Sequence, residues 1–376
     1  MKKKILFTSP NLFAGGAQRH LINIVNSLDE TIFDIILLLY SGEGELLNEV
    51  NSNVRIITSS QNYISKRFFP IRVLLGIICT IRTIRTTKPD IIYSRHWCKI
   101  PNAILGNFFN IKTVSGEGNN LKETLFKKSL KIRIFYFLRW IGLRYSSSVV
   151  ANSISLGEEI KNVFAPDSGV EVIYNGVDIK NIRLQASMNA DHPWFDKKYP
   201  LLISIGRLSE QKDHRTFIEA LKMVNDKTYV RAIIIGEGKL RENLIELSNK
   251  LGVSGRVDFI GNKSNPFPYI ANSDILVCSS RYEGLSNVIL EAMALGVPVI
   301  STDHKHGANE LIQNKVSGML VPVENPEKMA EAITRLINDK DLYGRIRDEC
   351  RKNSEYFSLE KLAENYENYF NRVLLR

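Results

Sequence analysis

Apolar residues recur along the chain in two alternating patterns. Short runs rich in Ile, Val and Leu predict strands at KILFTS (4–9), FDIILLLY (33–40), VRIIT (54–58), DIIYS (90–94), KTVS (112–115) and SVVANS (148–153). Longer amphipathic stretches between them, such as AQRHLINIVNSL (17–28), predict helices. The series restarts at LLISIG (201–206) and runs through VRAIIIG (230–236), RVDFIG (256–261), DILVCSS (274–280), PVIST (298–302) and GMLVP (318–322). Runs that are apolar throughout fit strands covered on both faces of a parallel sheet. Two such series in succession predict an α/β chain of two doubly wound domains.

The join is expected within DIKNIRLQASMNADHPWFDKKYP (178–200), a polar segment with two prolines and no clear period. This gives a first Rossmann-like domain over 1–180, a second over 181–357, and a final helical element over 358–376 from SLEKLAENYENYFNRVLL (358–375). A chain of 376 residues suits this division, since a single core serves roughly 150 residues.

Composition narrows the class. An apolar fraction of 44% excludes a disordered chain. Cys79, Cys98, Cys278 and Cys350 are scattered, with no disulfide or metal spacing, and read as reduced thiols of a cytoplasmic protein. The basic start has too short an apolar stretch (Ile5–Phe7) for an export signal. The stretch IRVLLGIICTIRTIR is interrupted by Arg72, Arg82 and Arg85 and is not expected to span a membrane. Charge is uneven: residues 1–180 hold 23 Lys/Arg against 14 Asp/Glu, and residues 181–376 hold 27 against 26. The excess in the first half points to an anionic partner, membrane surface or nucleic acid. No nucleic-acid motif appears, so nucleic acid is set aside.

Open parallel sheets bind ligands beyond the carboxyl ends of their strands. After the first strand, Gly15 and Gly16 precede a helix; they read as an approach for an anion, or as a plain turn. After strand 201–206, Arg207 and Lys212 offer a fork and a point charge to a diphosphate, or form a solvated surface pair. GEGKL (236–240) places Gly236 and Gly238 after another strand but lacks the third glycine of a dinucleotide fingerprint. Glu283 falls after strand 274–280, and Glu291 lies in a helix with Ser286 as N-cap and Gly296 as its stop. Both carboxylates suit pairs of sugar hydroxyls, while backbone N–H groups at Leu285–Val288 suit phosphate oxygens.

The stretch EGLSNVILEAMALGVPVISTD, with Glu283 and Glu291 separated by seven residues, resembles the signature of retaining glycosyltransferases of family four with the GT-B fold. GGAQRHLINI (15–24), ANSISLGEEI (151–160), VIYNGVD (172–178), ISIGRLSEQKD (203–213) and GEGKLRENL (236–244) match in family order over nearly the whole chain. The resemblance implies two facing domains, with the last helix returning to the first. It implies a donor site of Gly15, Gly16, Arg207, Lys212, Gly236, Glu283, Gly284, Leu285, Ser286, Asn287 and Glu291. Gly16 would approach the donor diphosphate, Arg207 and Lys212 would neutralise it, Glu291 would bind the ribose and Glu283 a donor-sugar hydroxyl. No metal or other cofactor is expected, because protein cations take that part. The family's histidine after the fifth strand is missing. VSGEGNN puts Glu117 there, either as a polar or general-base group near the donor sugar or as a helix cap, and His96 is not clearly equivalent.

In KETLFKKSLKIRIFYFLRWIGLRYS, the basic residues Lys127, Lys128, Lys131, Arg133, Arg139 and Arg144 mix with Phe126, Phe135, Tyr136, Phe137 and Trp140. This suits a helix lying on anionic lipid, or a buried face with a solvated basic side. The combined reading is a peripheral enzyme on the cytoplasmic face of the inner membrane. It would transfer a hexose or N-acetylhexosamine from a UDP-sugar to a lipid-linked oligosaccharide or lipopolysaccharide. A nucleotide-sugar epimerase of similar fold and a non-catalytic sugar-nucleotide-binding protein are the alternatives.

Overall fold

The computed structural model describes residues 2–13, 15–59, 69–118, 130–164, 169–304 and 307–375. It divides into two compact units. The first is Met1–Gly176 together with Leu359–Arg376, and the second is Val177–Ser358. Each is built on a fully parallel sheet, as the uniformly apolar strands require.

In the first unit the strands are β1 (Lys3–Ser9), β2 (Phe33–Leu39), β3 (Arg55–Thr58), β4 (Ile91–Ser94), β5 (Lys112–Glu117), β6 (Ser148–Ala151) and β7 (Val170–Val172). Their order is β3-β2-β1-β4-β5-β6-β7. Successive residues of β1 enter different cores. Ile5 and Phe7 join the cluster containing the last helix, Leu359–Leu375, whereas Leu6 joins Ile36, Leu38, Tyr40 and Ile92 on the other face. The half-buried, three-residue β7 has no counterpart among the predicted strands.

The last helix completes this unit. Its Phe370 is fully buried and sets its ring edge-on to those of Phe7, Phe33 and Tyr93, with centroids 6.1 to 6.3 Å away. The Tyr366 hydroxyl lies 3.2 Å from that of Tyr93 and 3.4 Å from His20 Nε2. At the carboxyl ends of β1 and β4, the buried Asn102 amide donates to both Thr8 Oγ1 and Ser94 Oγ at 2.9 Å, fixing the two strand ends together.

In the second unit the strands are β8 (Leu201–Ile205), β9 (Arg231–Ile235), β10 (Val257–Phe259), β11 (Ile275–Cys278), β12 (Val299–Thr302) and β13 (Met319–Val321), ordered β10-β9-β8-β11-β12-β13. The polar segment 178–200, read from sequence as the join, is folded into this unit. Asp178 caps the helix Ile179–Ala186 by accepting from Asn181 N–H at 2.9 Å, and His192 Nε2 lies 3.1 Å from Asp258. The unit's two ends meet, since Val177 N–H donates to Phe357 O at 2.8 Å. Among the described residues, no helix is long and apolar enough to cross a membrane.

If the last helix is part of the first core, Phe370→Ala removes a fully buried ring and should cost about 3–5 kcal/mol of that unit's stability, with Phe370→Leu costing less. Denaturant unfolding followed by aromatic fluorescence measures this. Unchanged midpoints for both variants would contradict the docking of the helix.

Candidate functional site

In each sheet the strand order reverses once, between β1 and β4 and between β8 and β11. Loops leaving neighbouring strands on opposite sides open a crevice at such a point. The segments after these strands hold most of the side chains singled out from sequence.

The loop after β8 is shaped by close backbone approach. Gly206 has φ +159°, and a Cβ there would sit 3.1 Å from Lys212 Cδ and Cε. Gly236 has φ +148°, and a Cβ there would lie 2.0 Å from Gly206 O. Only glycine fits both positions. Gly236 was expected to offer its backbone to a ligand, but its N–H donates to Gly261 O at 3.0 Å. It acts on the site by letting the β9 loop seat the β8 loop. Arg207, next to Gly206, is exposed.

The loops after β8 and β11 are laced together. Ser279 Oγ donates to Lys212 O at 2.9 Å, Arg281 N–H to Gln211 O at 2.9 Å, and Gln211 Nε2 to Tyr282 O at 3.0 Å. This sets the Lys212 ammonium in an ion pair with Glu283. Ser280 Oγ donates to the same carboxylate at 2.5 Å, and the Thr302 hydroxyl of β12 fixes Ser280 by donating to its carbonyl. Burial pushes the Glu283 carboxyl up, but the Lys212 charge and the bonds from Lys212 and Ser280 outweigh it and hold it at about 2. Burial likewise lowers Lys212, and the attraction of Glu283 more than reverses this; Arg207 is near enough to oppose it. Beneath the pair, burial and the Lys212 charge bring His214 down to about 4, so it is neutral at pH 7.

Glu283 thus does not stand with an open carboxylate: Lys212, expected on the diphosphate, holds it. The pairing joins residues 71 apart, which no local spacing announces. Ser280 and Thr302 were likewise not singled out from sequence, because nothing distinguishes a serine or threonine at a strand end until its acceptor is known.

Beyond Glu283, Gly284 is half-buried, and Leu285 and Ser286 are buried. Ser286 is the N-cap of the helix Asn287–Leu295, although its hydroxyl makes no capping bond. Gly296 ends the helix in the left-handed region at φ +70°. Asn287 and Glu291, four residues apart, share one face and are both half-buried. The first turn carries no acidic side chain, which keeps the positive end of the helix dipole uncancelled there.

In the first unit, Gly15 and Gly16 are exposed at the start of the helix Gly16–Ser27, where Gly15 is its extended N-cap. Glu117 is not in a loop. It ends β5, is buried, and pairs with the buried Lys99 and Arg139. It does not cap a helix among the described residues, and both of its oxygens are engaged by cations, which corrects its reading as an open general base. The same contact draws Arg139 inward, away from the basic surface to which the sequence assigned it. Lys127, Lys128 and Phe126 lie outside the described residues. Among the described residues, no group of three or more His, Cys, Asp or Glu is placed to hold a metal ion.

Two family models match successive parts of the chain: Glycosyltransferase Family 4 over residues 14–181, and Glycosyl transferases group 1 over residues 190–355. The chain belongs to the family-four glycosyltransferases with the GT-B fold. The Campylobacter jejuni N-acetylgalactosamine-N,N'-diacetylbacillosaminyl-diphospho-undecaprenol 4-alpha-N-acetylgalactosaminyltransferase is 30% identical over 211 residues, 56% of each chain, so the match spans about half of that relative. The lipopolysaccharide core biosynthesis glycosyltransferase LpsE of Rhizobium meliloti is 27% identical over 353 residues, 94% of each. The crystal structure of Anabaena HepE in complex with UDP-glucose superposes with a TM-score of 0.77 at 22% identity, over 98% of this chain and 99% of that one, a likeness of fold.

The ion pair has a definite pH signature. Glu283 is held below its ordinary 4.5, so its contribution is complete above about 4.5 and is lost as pH falls towards about 2. Lys212→Met leaves a buried, uncompensated carboxylate and should cost ~3–5 kcal/mol near pH 7. That loss should shrink as pH is lowered, because without Lys212 burial raises the carboxyl of the variant and lets it take up a proton. Lys212→Met combined with Glu283→Gln should recover much of the stability. A double variant as unstable as Lys212→Met alone, measured by chemical unfolding across pH, would refute the pairing.

Proposed function

We propose that this glycosyltransferase moves a hexose or N-acetylhexosamine, with retention, from a UDP-sugar to a lipid-linked or lipopolysaccharide glycan. The observation that carries the reading is the Lys212–Glu283 pair beside the exposed Arg207 at the strand reversal of the second unit. A leaving diphosphate gains charge as the bond to the sugar breaks. The exposed Arg207, the Lys212 ammonium held by Glu283, and the start of the helix Asn287–Leu295 are cationic or positively polarised groups of the kind that stabilises such charge. Glu291 is assigned to the ribose hydroxyls and Glu283 to a sugar hydroxyl. Protein cations make a metal unnecessary in this scheme. UDP-glucose in the HepE crystal supports the donor class, and the two named relatives support a lipid-linked or lipopolysaccharide acceptor.

Glu291→Ala should weaken UDP-sugar binding by roughly 1–3 kcal/mol, through lost hydrogen bonds to a charged acceptor. Arg207→Ala should lower turnover on the order of 100-fold. Calorimetry with UDP and a radiolabelled transfer assay measure these. Unchanged affinity in the first variant and near-normal turnover in the second would move the donor site elsewhere.

Placement on the cytoplasmic face of an anionic membrane belongs to the same reading. On the packed helices Lys99–Phe109 and Leu130–Arg144, Ile104, Phe108, Phe137, Leu138 and Trp140 are exposed, with Phe137 and Trp140 stacked at 5.9 Å. Apolar side chains beside the basic excess of this half suit an anionic bilayer surface, where each nearby Lys or Arg contributes ~1 kcal/mol and salt weakens the sum. Phe108→Ser with Phe137→Ser should release the protein from anionic vesicles in co-sedimentation. Changing Lys127, Lys128 and Lys131 to Glu should do the same while UDP-sugar binding is kept. A wild-type protein that stays in the supernatant at low salt would refute docking.

A further inference from the structure

The residue immediately after β4, at the strand reversal of the first unit, is Arg95. Its side chain is buried, at 5% exposure, and its Nη1 has no hydrogen-bond partner. Buried guanidinium groups are ordinarily paired, because desolvating an unpaired charge is strongly unfavourable. The nearby charges worsen the imbalance. Arg95 lies close enough to Lys99 to lower its pKa, and Lys99 and Arg139 already share the single carboxylate of Glu117. His96 is held at about 4 by burial and by the charges of Arg95 and Lys99, and His20 is lowered by burial and by Arg95, so both rings are neutral and neither balances the positive charge.

Gly118 shows where the Arg95 head lies. A Cβ built on this half-buried glycine would lie 2.7 Å from Arg95 Nη2 and 3.3 Å from Asn152 Nδ2. Two side-chain donors therefore lie side by side against the bare backbone of Gly118, where a β-carbon would collide with the Arg95 head. Asn152 follows β6, is also buried, and keeps its Oδ1 without a partner; its Nδ2 makes only a long 3.4 Å bond to Asn175. Gly118 is not in the left-handed region, so no backbone requirement accounts for glycine here.

We propose that Arg95 and Asn152, packed side by side against Gly118, form a binding site for an oxyanion carried by the acceptor, a phosphate or a carboxylate on the glycan or its lipid carrier. A guanidinium suits either group, since its N–H fork matches paired oxygens. The assignment to the acceptor rests on the transferase reading above; the anion site itself does not. It gives the acceptor a second recognition point besides the hydroxyl that receives the sugar, and it makes a neutral acceptor of the same sugars a poorer substrate.

Inorganic phosphate is the probe, tested on the full chain at constant ionic strength. Phosphate should raise the thermal unfolding midpoint of the wild type and of Arg207→Ala, and should raise it less in Arg95→Met, where the donor site alone still takes phosphate. Arg95→Met removes one of three clustered cations. Gly118→Val, which displaces the Arg95 head without altering charge, provides a second test should Arg95→Met not fold, and it should also diminish the response. UDP affinity should be unchanged in both variants, while KM for an anionic acceptor rises about tenfold or more, the loss expected for one charge-assisted bond. A phosphate response that is absent in the wild type, or undiminished in both variants, would overturn the site. A response lost in Arg207→Ala, or a fall in UDP affinity in Arg95→Met, would assign the anion to the donor and overturn the proposal. The phosphate readout needs no turnover. An inactive preparation that still shows Arg95-dependent protection therefore supports the anion site while counting against the transferase reading.

Discussion

A half-buried ammonium and a buried carboxylate are each unfavourable alone, and the second unit holds one of each in contact. Lys212 and Glu283 stay ionised because each is the other's partner, with the Ser280 hydroxyl as a further donor to the carboxylate. Such a pair adds little net stability over a well-packed apolar core, since desolvation consumes much of the attraction. What it fixes is position. The β8 and β11 loops must stay in register for the charges to meet, and the bonds among Gln211, Lys212, Ser279, Arg281 and Tyr282 keep them there. The requirement reaches the backbone: the stem of Lys212 runs over Gly206, and Gly206 is in turn approached by Gly236, leaving no room for a β-carbon on either.

The two units share a sheet plan but treat charge differently at their strand reversals. In the second, cation and acid meet directly and the exposed Arg207 stands beside them. In the first, Lys99 and Arg139 close on one acid, while Arg95 keeps a buried nitrogen unpartnered. A site with matched charges is organised before a ligand arrives. A site with surplus positive charge becomes electrostatically complete only when an anion enters it.

The strands were legible because burial on both faces leaves a plain trace, an unbroken run of Ile, Val and Leu. The β7 strand left none: three half-buried residues at a sheet edge are too short to show a period. Gly296 was legible as a helix stop because one local property, a left-handed φ, explains it. The join read near 178–200 agrees with the unit boundary at Gly176–Val177, but the segment itself belongs to the second unit, held by bonds to partners such as Asp258 that sequence cannot place. The candidate residues were legible as a set at strand ends, but their pairings were not. Glu117 and Lys99 are 18 residues apart, and Lys212 and Glu283 are 71 apart. Charge type can be read in order along a chain, whereas the choice of partner is made by the fold.

The chain leaves the first unit at Gly176 and returns to it only at Leu359. Synthesis on the ribosome therefore releases Phe7, Phe33 and Tyr93 long before the helix that covers them. The whole second unit must be translated in between, an interval of roughly ten to forty seconds at ordinary elongation rates. That unit is contiguous and closed at its own ends by the bond from Val177 to Phe357, so it can finish folding first. For that interval the first unit carries an uncovered aromatic face. A ribosome that stalls within the second unit would strand it in that sticky state, which makes this half of the nascent chain the natural client of a chaperone.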